Sequence, residues 1–225
     1  MSTLTGSGLR RGARAAGLLV AVVVSAGLTS ALIGRAVAQV SGNRMAPWII
    51  GRAAGVCSYL LLVVLVLTGM VLSHPWRSRL RRPSTATRIR LHIALAVFTL
   101  AFTVLHVVVL ATDRYAGVGW WGALLPMHAT YRPVATTFGL VGAWSGLLAG
   151  ITAALAGRLR PWLWWGIHKV AAVALVLVWL HGVLAGSDAP ALLGLYLGTG
   201  ALVIAVGLSR YMARTPADLV ADLVP

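Results

Sequence analysis

The sequence predicts an all-α membrane protein, a bundle of six transmembrane helices with both termini in the cytoplasm. Three observations carry this. Of 225 residues, 59% are hydrophobic and only 10% charged, where soluble domains carry about a quarter charged residues. The apolar residues gather into six runs, each near the ~20 residues that cross a bilayer as a helix. The 19 Lys+Arg, against 4 Asp+Glu, cluster between those runs, as topology-setting charges do. That placement argues against nucleic-acid binding, the other common meaning of a net charge of +15. The runs are also too long, and too uniformly apolar, for the alternating strands of a membrane barrel.

The runs fall at 15–37, 48–72, 89–111, 134–156, 163–185 and 191–212. Arg10, Arg11 and Arg14 precede the first, and Ala36-Val37-Ala38 resembles a signal cleavage site. Its apolar stretch exceeds the 7–15-residue core of a signal peptide, so a retained helix is expected. The expected organisation is a cytoplasmic segment 1–14, a six-span domain 15–212 and a cytoplasmic tail 213–225.

Orientation follows from the basic residues. Arg10, Arg11, Arg14, Arg77, Arg79, Arg81, Arg82, Arg88, Arg90, Arg158, Arg160, Lys169, Arg210 and Arg214 fall on one side of the alternating spans. Only Arg35, Arg44, Arg52, Arg114 and Arg132 fall on the other. The richer side is cytoplasmic by the positive-inside rule. Trp48, Trp76, Trp120, Trp121, Trp162, Trp164 and Trp165 stand at or near span ends, where interfacial anchoring accounts for them. The single cysteine, Cys57, excludes an intrachain disulfide and reads as a small packing residue.

Six histidines remain. His74, beside Pro75, and His128, in the outer loop, can be solvated. The other four stand in two pairs, His92 and His106 on the third span, His168 and His181 on the fifth. Ionisable residues within spans are costly and mark functional sites by default. His92 and His106 are separated by 14 positions, about 21 Å of helix rise and about 40° around the axis. They share a face but cannot share a metal ion, whose ligands sit near 2 Å. The third and fifth spans run in the same direction, so His92 is expected level with His168 near the cytoplasm, and His106 with His181 near the outer face. Two imidazoles from facing helices at each level suit bis-histidine ligation of a b-type haem, iron included, in a helix bundle. One detail resists: His168 and His181 are 13 positions apart, about 140° on an ideal helix. A local π-bulge or two different haem approach angles would be needed. Gly182, Ala171, Ala172 and Ala174 would allow close approach of a macrocycle or ordinary helix packing.

Six spans with histidines so spaced resemble the ferric reductase-like transmembrane domain. That superfamily includes NADPH oxidases, ferric-chelate reductases and the haem-binding membrane subunit of the bacterial methionine sulfoxide reductase system. "WIIGRAAGVCSYLLLVVLVLTGMVLS", "LLPMHATYRPVATTFGLVG" and "WLWWGIHKV…LHGVLAGSD" are similar to a bacterial branch, and the resemblance covers roughly 45–190. It implies two b-type haems, one held by His92 and His168, the other by His106 and His181, in a cytochrome b-like electron-transport protein of the cell membrane. Unlike NADPH oxidases, the chain shows no glycine-rich dinucleotide fingerprint. FAD and NADPH are therefore expected only on a separate partner.

Haem propionates need cationic or amide donors. Arg88, Arg90 and Lys169 lie near the inner level, where topology alone also explains them. Arg52 lies near the outer level, on the less basic side and slightly inside an apolar run. The expected function is transfer of electrons from a cytoplasmic donor, a flavoprotein reductase or quinol, to an acceptor at the outer face. The basic loop "HPWRSRLRRPSTATRIR" would attract an acidic donor or anionic lipid. A proton relay through the histidines and a haem-binding sensor or assembly subunit are the alternatives.

Overall fold

The structure is a computed structural model that describes residues 42–79 and 82–213. The first expected span, the segment before it and the tail beyond 213 lie outside the described residues. The described residues from Pro47 onward fall in one compact unit. The helical bundle belongs to it.

Among the described residues all regular structure is helical, and five helices are long and apolar enough to cross a membrane. These are α1 (Ala46–Leu72), α2 (Thr85–Thr112), α4 (Pro133–Ala154), the pair α5 (Pro161–His168) and α6 (Val170–Ala185), and α7 (Leu193–Met212). A 3-10 turn, Pro75–Arg79, follows α1, and a short helix α3, Gly119–Leu124, lies in the long connection before α4. These are the helices of a multi-pass membrane protein. The expected spans at 48–72, 89–111, 134–156, 163–185 and 191–212 each overlap one of them along most of its length.

Local chemistry sets the boundaries. The Ser84 side chain accepts a hydrogen bond from the Thr87 amide at 3.2 Å and caps α2. Pro133 and Pro161 open α4 and α5, where a missing amide hydrogen costs nothing. Pro75 stops α1 soon after Leu72.

The fifth span is not one continuous helix. It is interrupted at Lys169, where the Ala172 amide donates to the Lys169 carbonyl at 3.0 Å, a three-residue turn. The 140° conflict between His168 and His181 assumed an unbroken helix. The break directly follows His168 and is a tightened turn at Lys169, φ −64° and ψ −17°, rather than a π-bulge.

α1 and α2 run antiparallel in a register that holds from end to end. Gly51 meets Leu110, Gly55 meets His106, Ser58 meets Thr103 and Gly69 meets His92; in each pair the two residue numbers add to 161. α4 and α6 keep a similar register, Gly139 against His181 and Gly142 against Val178, with numbers adding to 320. Small residues let these backbones approach, the usual basis of packing in lipid. The Ser58 hydroxyl, 2.7 Å from that of Thr103, links α1 to α2 at mid-span.

A second contact region joins α1, α6 and α7 through Tyr59, Leu62, Val63, Leu175 and Tyr196. The Tyr59 and Thr199 hydroxyls are hydrogen-bonded, and the Trp179 indole donates to the Tyr196 carbonyl at 3.1 Å. Gly182 faces Tyr196, and Ala174 is buried beside Gly142. Both small residues therefore serve helix packing. The outward faces stay apolar, with Val97 61% and Ile204 63% exposed, as a lipid surface requires. Cys57 is exposed rather than packed inside.

Candidate functional site: two histidine pairs

α2 carries His92 near one end and His106 near the other. The structure brings His92 to His168, with ring centroids 6.3 Å apart and planes at 66°. It brings His106 to His181, with centroids 6.2 Å apart and planes at 77°. The first level is built by α2 and the last residue of α5, the second by α2 and α6. Two such pairs at opposite ends require the third and fifth spans to be parallel. Among the described residues no three His, Cys, Asp or Glu side chains converge on one point, so the histidines are grouped in twos.

Each pair is held from behind. His106 Nδ1 lies 2.7 Å from the Gly51 carbonyl, and His181 Nδ1 lies 2.8 Å from the Ala135 carbonyl. Carbonyls only accept, so both Nδ1 atoms carry the proton and both Nε2 atoms present a lone pair. In each case a glycine stands four residues beyond the accepting carbonyl. A Cβ at Gly55 would stand 2.7 Å from His106 Nδ1, and one at Gly139 would stand 2.7 Å from His181 Nδ1. An α-helical carbonyl is covered by the turn that follows it. A glycine there opens it to a donor from another helix.

At the first level, His92 Nδ1 lies 3.0 Å from the Thr68 hydroxyl, which itself donates to the Leu65 carbonyl at 2.7 Å. Gly69, four residues past Leu65, makes the room: a Cβ there would stand 3.1 Å from His92 Cε1. His168 is set against the Trp164 ring, centroids 5.3 Å apart, and its Nδ1 is buried without a hydrogen bond to a described residue.

The residues fit a metal atom between each pair. Metal–imidazole bonds of about 2.0–2.1 Å, extended by about 1.1 Å from nitrogen to ring centre, would allow two imidazoles sharing one metal atom ring centres up to about 6.3 Å apart. No hydrogen bond joins the two rings of either pair among the described residues. Three of the four imidazoles have Nδ1 engaged, the outer-shell arrangement that fixes a ligand's tautomer and orientation.

The arginines divide. Arg52 is ion-paired with Asp188 and lies over the Trp48 ring, 5.8 Å from its centroid. Its expected role at the outer level thus has a carboxylate partner that sequence reasoning missed. Trp48 also meets Tyr115 and Tyr131 edge-on. The Tyr131 hydroxyl donates to the Ala185 carbonyl at 2.9 Å, and Arg132 donates to that of Leu184. These residues close the bundle just beyond His181.

Arg88 is buried and donates from Nε to the Pro83 carbonyl at 2.9 Å. It lines a cavity of about 230 Å³ with Arg82, Thr68 and Leu91, beside the His92 level. Arg90 and Lys169 are exposed. His74 Nδ1 accepts from the Trp76 amide at 3.1 Å, and its Nε2 lies 3.4 Å from the Ser209 hydroxyl, so it is tied to α7 rather than simply solvated. His128 is exposed, with Nδ1 2.7 Å from the Pro126 carbonyl.

Sequence reasoning missed the seats, Gly51, Gly55, Thr68, Gly69, Ala135 and Gly139. One signal was available. Gly55 and Gly69 on the second span repeat the 14-residue spacing of His92 and His106 on the third. Compared with known protein families, curated proteins and solved structures, the chain matches none.

Proposed function

We propose that this chain is the membrane subunit of an oxidoreductase that carries two b-type haems, ligated by His92 with His168 and by His106 with His181. The observation that carries the reading is the pairing itself. Two levels of facing imidazoles, 6.3 and 6.2 Å apart, have protonated Nδ1 atoms turned onto α1 and α4 wherever a partner is present. The bound groups would supply one-electron exchange, and ligation by two protein imidazoles would suit electron transfer rather than oxygen binding.

The chain's own residues supply orientation and charge. Gly51, Ala135 and Thr68 hold the ligating rings. Arg88, with Arg82 in the adjoining cavity, provides cations for propionates at the first level. Arg52, moderated by Asp188, does so at the second. Arg90 and Lys169 add positive charge at the first end.

The arginine distribution supports a cell-membrane protein with both termini inside and the His92 level cytoplasmic. The sequence resemblance to the ferric reductase-like domain supports the same reading. Electrons would enter from a separate cytoplasmic flavoprotein carrying FAD and NADPH, or from quinol, and leave to an acceptor at the outer face. The two levels, about 21 Å apart, cover most of a hydrocarbon core about 30 Å thick.

The test is purification from a haem-replete host. The expected result is a red protein with a reduced-minus-oxidised b-type spectrum and two haems per chain. A colourless preparation would overturn the reading and turn attention to the histidines as a proton relay.

A further inference from the structure

The two levels are not held alike. At the second, both imidazoles donate to backbone carbonyls, at 2.7 and 2.8 Å. No side-chain substitution removes those acceptors. At the first, His92 Nδ1 meets a side-chain hydroxyl at 3.0 Å in addition to the Leu65 backbone carbonyl, and that hydroxyl's one proton is committed to the same carbonyl at 2.7 Å. Thr68 Oγ1 therefore accepts, His92 Nδ1 carries the proton, and Nε2 is left as the ligating atom. Gly69 keeps the next turn of α1 out of the way. The facing ligand, His168, has no Nδ1 partner among the described residues.

We propose that Thr68 is a positioning residue that tunes the first level alone, by adding a hydroxyl acceptor for His92 Nδ1–H beside the Leu65 carbonyl and so strengthening the imidazole as a donor. The inference rests on the haem reading above. Donation from Nδ1–H to an acceptor makes Nε2 more basic. A more basic axial ligand favours the ferric form, so the hydrogen bond lowers the midpoint potential of that centre. Thr68→Val keeps the shape of the side chain and removes the hydroxyl acceptor, leaving only the Leu65 carbonyl. Thr68→Ser keeps the acceptor and removes a methyl group. Neither touches the second level, where the Gly51 and Ala135 carbonyls act.

Spectroelectrochemical titration of the purified full chain tests this, with low-temperature electron paramagnetic resonance as a second readout. Thr68→Val is expected to weaken the ferric preference of the first centre roughly tenfold, the lower end of outer-shell effects, which is about +59 mV for one electron. The second centre stays unmoved, and Thr68→Ser stays close to the unsubstituted protein in both readouts. Loss of the first centre alone in Thr68→Val, with retention in Thr68→Ser, supports the same role. Equal titration curves for all three proteins overturn it, as does equal disturbance by valine and serine. Either of those results in a red protein leaves the haem reading intact, whereas colourless unsubstituted protein sinks both.

Discussion

Gly55 of α1 lies so close to His106 of α2 that a Cβ on the glycine would stand 2.7 Å from the imidazole Nδ1. The contact is part of the ring's attachment, because Nδ1 donates to the carbonyl one turn earlier, at Gly51. Gly55→Ala is expected to push the ring off that carbonyl. Overpacking costs about 1–3 kcal/mol, and the second-level spectral component should fall while the first persists. Gly146→Ala is the control, since nothing lies within 4 Å of a Cβ there. Equal visible spectra and melting curves for the two variants would show that the seat is not needed.

Depth pairing makes a separate prediction. His92→Ala and His168→Ala should remove the same spectral component, and His106→Ala and His181→Ala the other. The ring separations of 6.3 and 6.2 Å join these residues and no other combination. Loss of one common component in His92→Ala and His181→Ala would contradict the arrangement.

The Arg52–Asp188 ion pair predicts opposite shifts from its two halves. Arg52→Ala leaves a carboxylate near the second level and should lower its midpoint potential. Asp188→Asn leaves a guanidinium and should raise it. The double substitution should return towards the starting value, with a coupling term that a double-mutant cycle measures. Additive shifts would mean that the two side chains act independently.

Tyr59 and Gly182 should differ in their effect on stability. Tyr59→Phe removes the hydrogen bond to Thr199, and hydrogen bonds between membrane helices average about 0.6 kcal/mol. Gly182→Ala places a Cβ 2.7 Å from the Tyr196 hydroxyl and should cost about 1–3 kcal/mol by overpacking. Thermal unfolding in detergent, followed by helicity, ranks the two. A Tyr59→Phe variant less stable than Gly182→Ala would show that the hydroxyl pair, rather than the close approach of α6 to α7, holds this region together.

Much of the architecture is written in one-dimensional periodicity. Runs of apolar residues near bilayer length specify helices, because a backbone in lipid must satisfy its own hydrogen bonds. The four buried-run histidines stand out for the same reason: a polar ring in such a run is costly and needs a partner. Their intervals, 14 positions on the third span and 13 on the fifth, and the alternation of spans suffice to pair His92 with His168 and His106 with His181 by depth. The first span lies outside the described residues, so five of the six expected helices are described.

Other features depend on three-dimensional registers that no local pattern encodes. The sequence places Gly51, Gly55 and Gly69 on α1, but only the antiparallel fit to α2 sets them opposite Leu110, His106 and His92. The three-residue turn at Lys169, directly after His168, is a departure from ideal helix geometry that no residue pattern in the fifth run announces. Arg52 stands out as a charge in an apolar run, yet its partner Asp188 is 136 positions away and meets it only when α1 and the α6–α7 connection come together. Hydrophobic periodicity depends on each helix's own solvent, so the sequence alone determined the spans and the depth of their histidines. Hydrogen-bond acceptors, glycine clearances and ion partners depend on neighbouring helices, so only the tertiary structure decided how those histidines are held.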